Sequence, residues 1–117
     1  MIAGIYAGDV QVFRFYRDGM VLDALVRPAP GAADGEAIAQ WLVPEAATPG
    51  RGIYVARYAV RDGVLRFTTR SHLRDEVVEV EARVGRDQLT LTRRDGGRRT
   101  NGLRFERIHS GGSSGPR

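Results

Sequence analysis

The sequence predicts an all-β protein, a single antiparallel up-and-down (meander) barrel of about eight strands, and three observations carry that expectation. Arg-Asp-Gly occurs at 17–19, 61–63 and 94–96, each time between segments whose apolar residues alternate with polar ones. Asp-Gly accepts the positive φ angles of a tight hairpin whose twist matches its strands, so the triplets punctuate a meander. The connections are short throughout, except for one at residues 28–50 that is expected to hold a short helix and act as a lid.

In chain order, a short strand over 2–7 is expected to pair with 10–17 through Gly8-Asp9. With Asp18-Gly19 as a two-residue turn, Arg17 faces Met20, Phe15 faces Leu22 and Phe13 faces Ala24, and this face is taken as the interior. The other face carries Val12, Arg14, Tyr16, Val21, Asp23 and Leu25. Its apolar members are too many to leave wet on one small domain, which motivates a homodimer through the first hairpin. Asp62-Gly63 likewise sets Tyr58 against Phe67, Val60 against Leu65 and Ala56 against Thr69, with Arg57, Arg66 and Arg70 outside. Val78, Val80, Ala82 and Val84 alternate with charged residues, and a turn at Arg86-Asp87 sets Val84 against Leu89 and Ala82 against Leu91. A five-residue loop over 95–99 then pairs Leu91 with Leu103 and Leu89 with Phe105.

The long connection begins at Pro28-Ala29-Pro30-Gly31 and ends at Pro49-Gly50, both strand breakers. Asp34 is placed to cap a helix over 36–42, with Ile38, Trp41 and Leu42 on one side. Two readings of this segment stand: a helical lid over a barrel mouth, or Trp41 plugging the barrel as core.

At 117 residues, the chain is read as one domain over 1–109 followed by a flexible Gly/Ser tail over 110–117. The absence of cysteine removes disulfides, thiolate nucleophiles and sulfur metal sites, and points to a reducing cytoplasm. No membrane span is expected. All 18 basic side chains are arginine, which excludes lysine Schiff-base chemistry. The net charge of +4 is compatible with a GC-rich genome's composition and is a weak argument for nucleic acid. Around Asp95-Gly96-Gly97 stand Arg93, Arg94, Arg98 and Arg99, read as a solvated hairpin tip because no aromatics interleave them.

The segments Gly4-Ile5-Tyr6, Arg14 to Leu22, Gly52-Ile53-Tyr54, Leu89-Thr90-Leu91 and Leu103-Arg104-Phe105-Glu106 together resemble the lipocalin-like (calycin) barrels. The run from Arg14 to Leu22 is also similar to the barrel domain at the end of certain F-box proteins, where a proline more often stands in place of Arg17. The lipocalin opening has Gly-x-Trp where this chain has Gly4-Ile5-Tyr6. The resemblance implies a barrel that binds a small, largely apolar molecule; separately, no cofactor is expected.

Candidate binding residues are Tyr6, Phe13, Phe15, Trp41, Tyr54, Tyr58, Phe67 and Arg93. The inward polar set is Tyr6, Tyr54, Tyr58, Thr69, Arg93 and Asn101, since a few polar groups orient a ligand in an apolar pocket. Ser71-His72-Leu73-Arg74-Asp75-Glu76 holds a hydroxyl, an imidazole and carboxylates, but is read as a polar loop because a triad is defined by geometry. His109 is expected to be solvated, and no metal-ligand spacing occurs. Three functions follow from this shape: binding of a small hydrophobic or aromatic molecule in the cavity, a cofactor-free cyclase or isomerase of bacterial secondary metabolism, or a protein- or nucleic-acid-binding barrel. The first is the leading expectation.

Overall fold

Eight antiparallel strands close on themselves in sequence order. They are β1 (Gly4–Gly8), β2 (Gln11–Phe15), β3 (Met20–Leu25), β4 (Tyr54–Arg61), β5 (Val64–Arg70), β6 (Val77–Gly85), β7 (Gln88–Asp95) and β8 (Arg98–His109), with helix α1 (Gly35–Trp41) between β3 and β4. The computed structural model describes residues 1–110, so the tail expected over 110–117 lies outside it beyond Ser110. β8 pairs with β1 to close the barrel, a solution that removes exposed sheet edges. No helix among the described residues is long and apolar enough to cross a membrane.

The second half of the barrel follows the alternation in the sequence. Tyr58 lies opposite Phe67 and Val60 opposite Leu65 across a two-residue turn in which Asp62 has φ 55° and Gly63 φ 77°. Val84 lies opposite Leu89 and Ala82 opposite Leu91. Arg57, Arg66 and Arg70 are exposed. Leu91 and Leu89 meet Leu103 and Phe105 as expected, but not through a five-residue loop. The turn is Gly96-Gly97, at φ 57° and 84°, with Asp95 opposite Arg98. An irregularity between Leu91 and Arg93, where Gly102 of β8 adopts φ 70°, then restores the register. This bulge leaves Asn101, expected inside, exposed on the outer surface, where its side-chain oxygen accepts from Thr92 and Arg99.

The first hairpin departs from the sequence reading by one residue. Phe15 faces Val21 and Phe13 faces Asp23. The loop is Arg17-Asp18-Gly19: the Tyr16 N–H donates to the Met20 carbonyl at 2.9 Å and the Gly19 N–H to the Tyr16 carbonyl at 3.1 Å, with Gly19 at φ 97°. The Asp18 carboxylate accepts from the Met20 N–H at 3.0 Å. A one-residue slip turns every side chain of a strand over. Val21 and Asp23, expected outside, therefore enter the barrel, while Leu22 and Ala24, expected inside, leave it. The turn before β2 shifts as well, falling at Asp9-Val10 with Gly8 opposite Gln11.

What lies outside β1 to β3 is the long connection. Ile38 and Leu42 pack with Ile5, Val12, Leu22, Ala24 and Ile53 in a second core on the outer wall. Arg14, expected on the outer face either exposed or at a subunit interface, is buried beneath α1, where its Nη1 donates to the carbonyls of Ala39 at 3.0 Å and Leu42 at 2.8 Å. Gly35 approaches β8 so closely that a Cβ there would stand 2.0 Å from the Ile108 carbonyl oxygen. Asp34 precedes α1 but spends its carboxylate on the Gly31 N–H. The helix is thus a cladding of the wall, not a cover over a mouth, and Trp41 is 42% exposed, not a plug. The apolar outer face that motivated a homodimer is covered by the chain's own helix at Val12, and Val21 is inside. His109, expected to be solvated, ends β8 beside Glu36, 3.2 Å away.

Candidate binding pocket

The interior has two unlike ends. The middle of the barrel and the end bearing the Arg17-Asp18-Gly19 and Asp62-Gly63 turns are filled. Phe13 stacks on Phe105 at 5.0 Å and meets Phe67 edge-on at 5.2 Å, and Phe15 meets Tyr58 edge-on at 5.2 Å and Tyr6 at 5.7 Å. The Tyr58 hydroxyl accepts from the Ile2 N–H and faces the carbonyls of Ile2 and Tyr16. Burial raises the pKa of Tyr58 and of Tyr6 above the usual tyrosine value, because a phenolate is poorly solvated there.

At the other end the packing stops at Phe105, and a pocket of about 400 Å³ opens. Its wall includes Leu25, Val78, Leu103 and Phe105 on the apolar side and Gln11, Thr69, His72 and Arg93 on the polar side. Gly8 permits this floor, since a Cβ there would stand 2.7 Å from the Phe105 ring. The volume and the mixture of an apolar body with a few convergent polar groups are those of a small-molecule site.

The polar wall is organised around Asp23, which is fully buried. Its Oδ1 accepts from Gln11 Nε2 at 3.1 Å and lies 2.8 Å from His72 Nε2, while Oδ2 accepts from the Thr69 hydroxyl at 2.8 Å. Gln11 continues the chain by accepting from Arg93 Nη1 at 3.3 Å. Arg93 Nε is buried without a hydrogen-bond partner. Tyr54 lies against the His72 ring, centroid to centroid 4.7 Å.

His72 reaches the pocket because the 71–76 loop folds on itself. The Ser71 N–H donates to the Glu76 carbonyl at 3.0 Å, and the Ser71 hydroxyl accepts from the N–H groups of Leu73 and Arg74 at 3.1 Å each. The serine is therefore committed to the turn, as the polar-loop reading expects, while the histidine beside it turns inward. Arg98 ties this loop to the last hairpin by pairing with Glu76 at 2.9 Å.

Of the eight candidate binding residues, Arg93 alone lines this pocket among the described residues. Phe13, Phe15, Phe67, Tyr6 and Tyr58 belong to the packed core, Tyr54 lies behind His72, and Trp41 is on the outer wall. Asp23, Gln11 and His72 were missed. A carboxylate inside an otherwise apolar hairpin was the available signal for Asp23, and the register slip hid it.

No family model, no curated protein and no solved structure matches the chain. The closed eight-stranded meander is compatible with a lipocalin-like fold.

Proposed function

We propose that the protein binds a small, largely hydrophobic or aromatic molecule carrying a carboxylate or carbonyl group, in the pocket at the open end of the barrel. One observation carries this reading: a pocket of about 400 Å³ with an apolar floor at Phe105 is faced by the cationic side chain of Arg93. A guanidinium on the wall of a largely apolar pocket pairs with an oxygen of a bound acid or ketone through a charge-assisted hydrogen bond. Arg27 on the rim adds to the positive charge of Arg93. The meander barrel supports a lipocalin-like reading, and the absence of cysteine supports a cytoplasmic one.

Calorimetric titration with 2-naphthoate and its neutral analogue 2-naphthamide tests this. Both should bind, and Arg93→Ala should weaken the acid by about 1.5–3 kcal/mol more than the amide, the value of a charge-assisted hydrogen bond. Equal weakening would make Arg93 structural, and binding of neither compound would overturn the reading.

A further inference from the structure

Deepening that reading, on which it rests, we propose that the pocket performs proton transfer at a carbon next to a carbonyl group, with His72 as general base, Asp23 as the residue that positions it, and Arg93 as the cation that receives the developing enolate. The argument starts from the hydrogen bonds of Asp23. Three side chains, Gln11, Thr69 and His72, converge on its two oxygens. A carboxylate only accepts, so the imidazole nitrogen facing it, Nε2, carries hydrogen. In the neutral ring that leaves Nδ1 as the lone-pair nitrogen, and Nε2 is the ring nitrogen that is hydrogen-bonded among the described residues. A buried carboxylate that fixes the tautomer of an imidazole, with the other nitrogen left unengaged, is the arrangement of a general base.

The neighbours of His72 decide which reaction such a base serves. Acyl transfer needs an activated nucleophile, and none is at hand. The Ser71 hydroxyl is held by two backbone N–H groups, the Thr69 hydroxyl donates to Asp23, and the chain has no cysteine. What shares the pocket with His72 is the Arg93 guanidinium, a fixed cation suited to stabilise an oxyanion. Base and cation together match carbon acids. His72 Nδ1 removes the proton from the carbon, the C–H electron pair becomes the C=C bond, and the carbonyl π pair moves onto oxygen beside Arg93. Return of the proton from the imidazolium, to the same or a conjugated carbon, completes an exchange or an isomerisation with no net redox change and no cofactor.

Phenylpyruvate combines an aromatic body, an anion and an acidic benzylic C–H, and is the probe. In D₂O, loss of its benzylic proton signal follows the transfer, while saturation-transfer NMR on the same sample reports binding. The wild-type protein should accelerate exchange over buffer, and His72→Ala should lower the rate about 100-fold or more, the usual worth of a general base. His72 stands on a loop, and Asp23 keeps Gln11 and Thr69 when it is removed, so the variant retains the fold by circular dichroism. Added imidazole should restore part of the rate, which a merely structural loss would not allow. Asp23→Asn should lower the rate at saturation about tenfold or more, compared at equal bound fraction read by saturation transfer. Bound phenylpyruvate exchanging equally fast with wild type and His72→Ala would overturn the base assignment and leave the binding reading standing. Failure of phenylpyruvate to bind would overturn both.

Discussion

Leu22 and Val55 are cross-strand partners on β3 and β4, both pointing to the outside of the barrel, yet Leu22 is fully buried and Val55 is 54% exposed. The boundary between two kinds of wall runs between them. Strands β1 to β3 are buried on both faces, by the barrel core within and by the 28–50 connection without. Strands β4 to β6 are buried on one face, and their residues alternate inside and out. The difference teaches what a hydrophobic pattern can and cannot specify. Where only one face is buried, a register slip would expose the core, so the pattern selects one register; where both faces are buried, two registers place apolar residues equally well.

The largest effects should break this contrast if it is wrong. Phe15→Ala and Phe67→Ala, within the barrel, should each cost roughly 3–5 kcal/mol in denaturant unfolding. Leu22→Ala, on the outer surface of β3, should cost about 2–5 kcal/mol because it too opens a core. Val55→Ala, its neighbour, should stay within about 0.5 kcal/mol as an exposed substitution does. Equal, small effects at Leu22 and Val55 would mean that the helix does not clad the wall.

Arg14 sharpens the comparison at intermediate size. It holds the end of α1 through two backbone carbonyls, so Arg14→Ala should cost about 1.5–3 kcal/mol, the range for hydrogen bonds from a charged donor. Trp41 sits on the same helix and is half exposed, so its fluorescence should shift to the red in this variant as α1 loosens. Ligand binding in the pocket, which Trp41 does not line, should leave its emission unchanged.

The smallest effect concerns the packed end of the barrel. Burial raises the pKa values of Tyr6 and Tyr58 above the ordinary tyrosine value. Because the unfolded chain ionises first, the stability they contribute is fully present below about pH 10 and is lost as pH rises through their folded values. Unfolding free energy should thus be level across neutral pH and fall in alkali, with a shallower fall in Tyr58→Phe. A fall of unchanged slope in that variant would remove Tyr58 from the account.

Legibility followed the same boundary. In β4 to β7 the facing pairs could be read from alternation and from Asp62-Gly63, whose two positive φ angles make the tight turn its composition suggests. Arg93 was placed inside on that basis, two residues beyond Leu91, and it lines the pocket. The same triplet at 17–19 closed a three-residue loop instead, because Arg17-Asp18-Gly19 accommodates either turn and nothing local prefers one. Asp23 and Arg14 exchanged sides as a result, and with Asp23 the reading lost the centre of the polar wall. His72 was set aside for a related reason: the loop that holds it is polar whichever way its imidazole turns.

The amino-acid sequence by itself determined the number and order of the strands, the inward faces of the second half and the position of the one long connection, because these rest on period-two alternation and on local turn chemistry. The tertiary structure alone decided where that connection lies, which face of the first hairpin is inside, and that Asp23, Gln11, Thr69, His72 and Arg93 meet. Those outcomes depend on contacts between residues far apart in the chain. A helix laid on the outer wall makes both faces of β1 to β3 apolar, and only the closing of the barrel, which brings β2, β3, β5 and β7 around one cavity, settles which side chains share it.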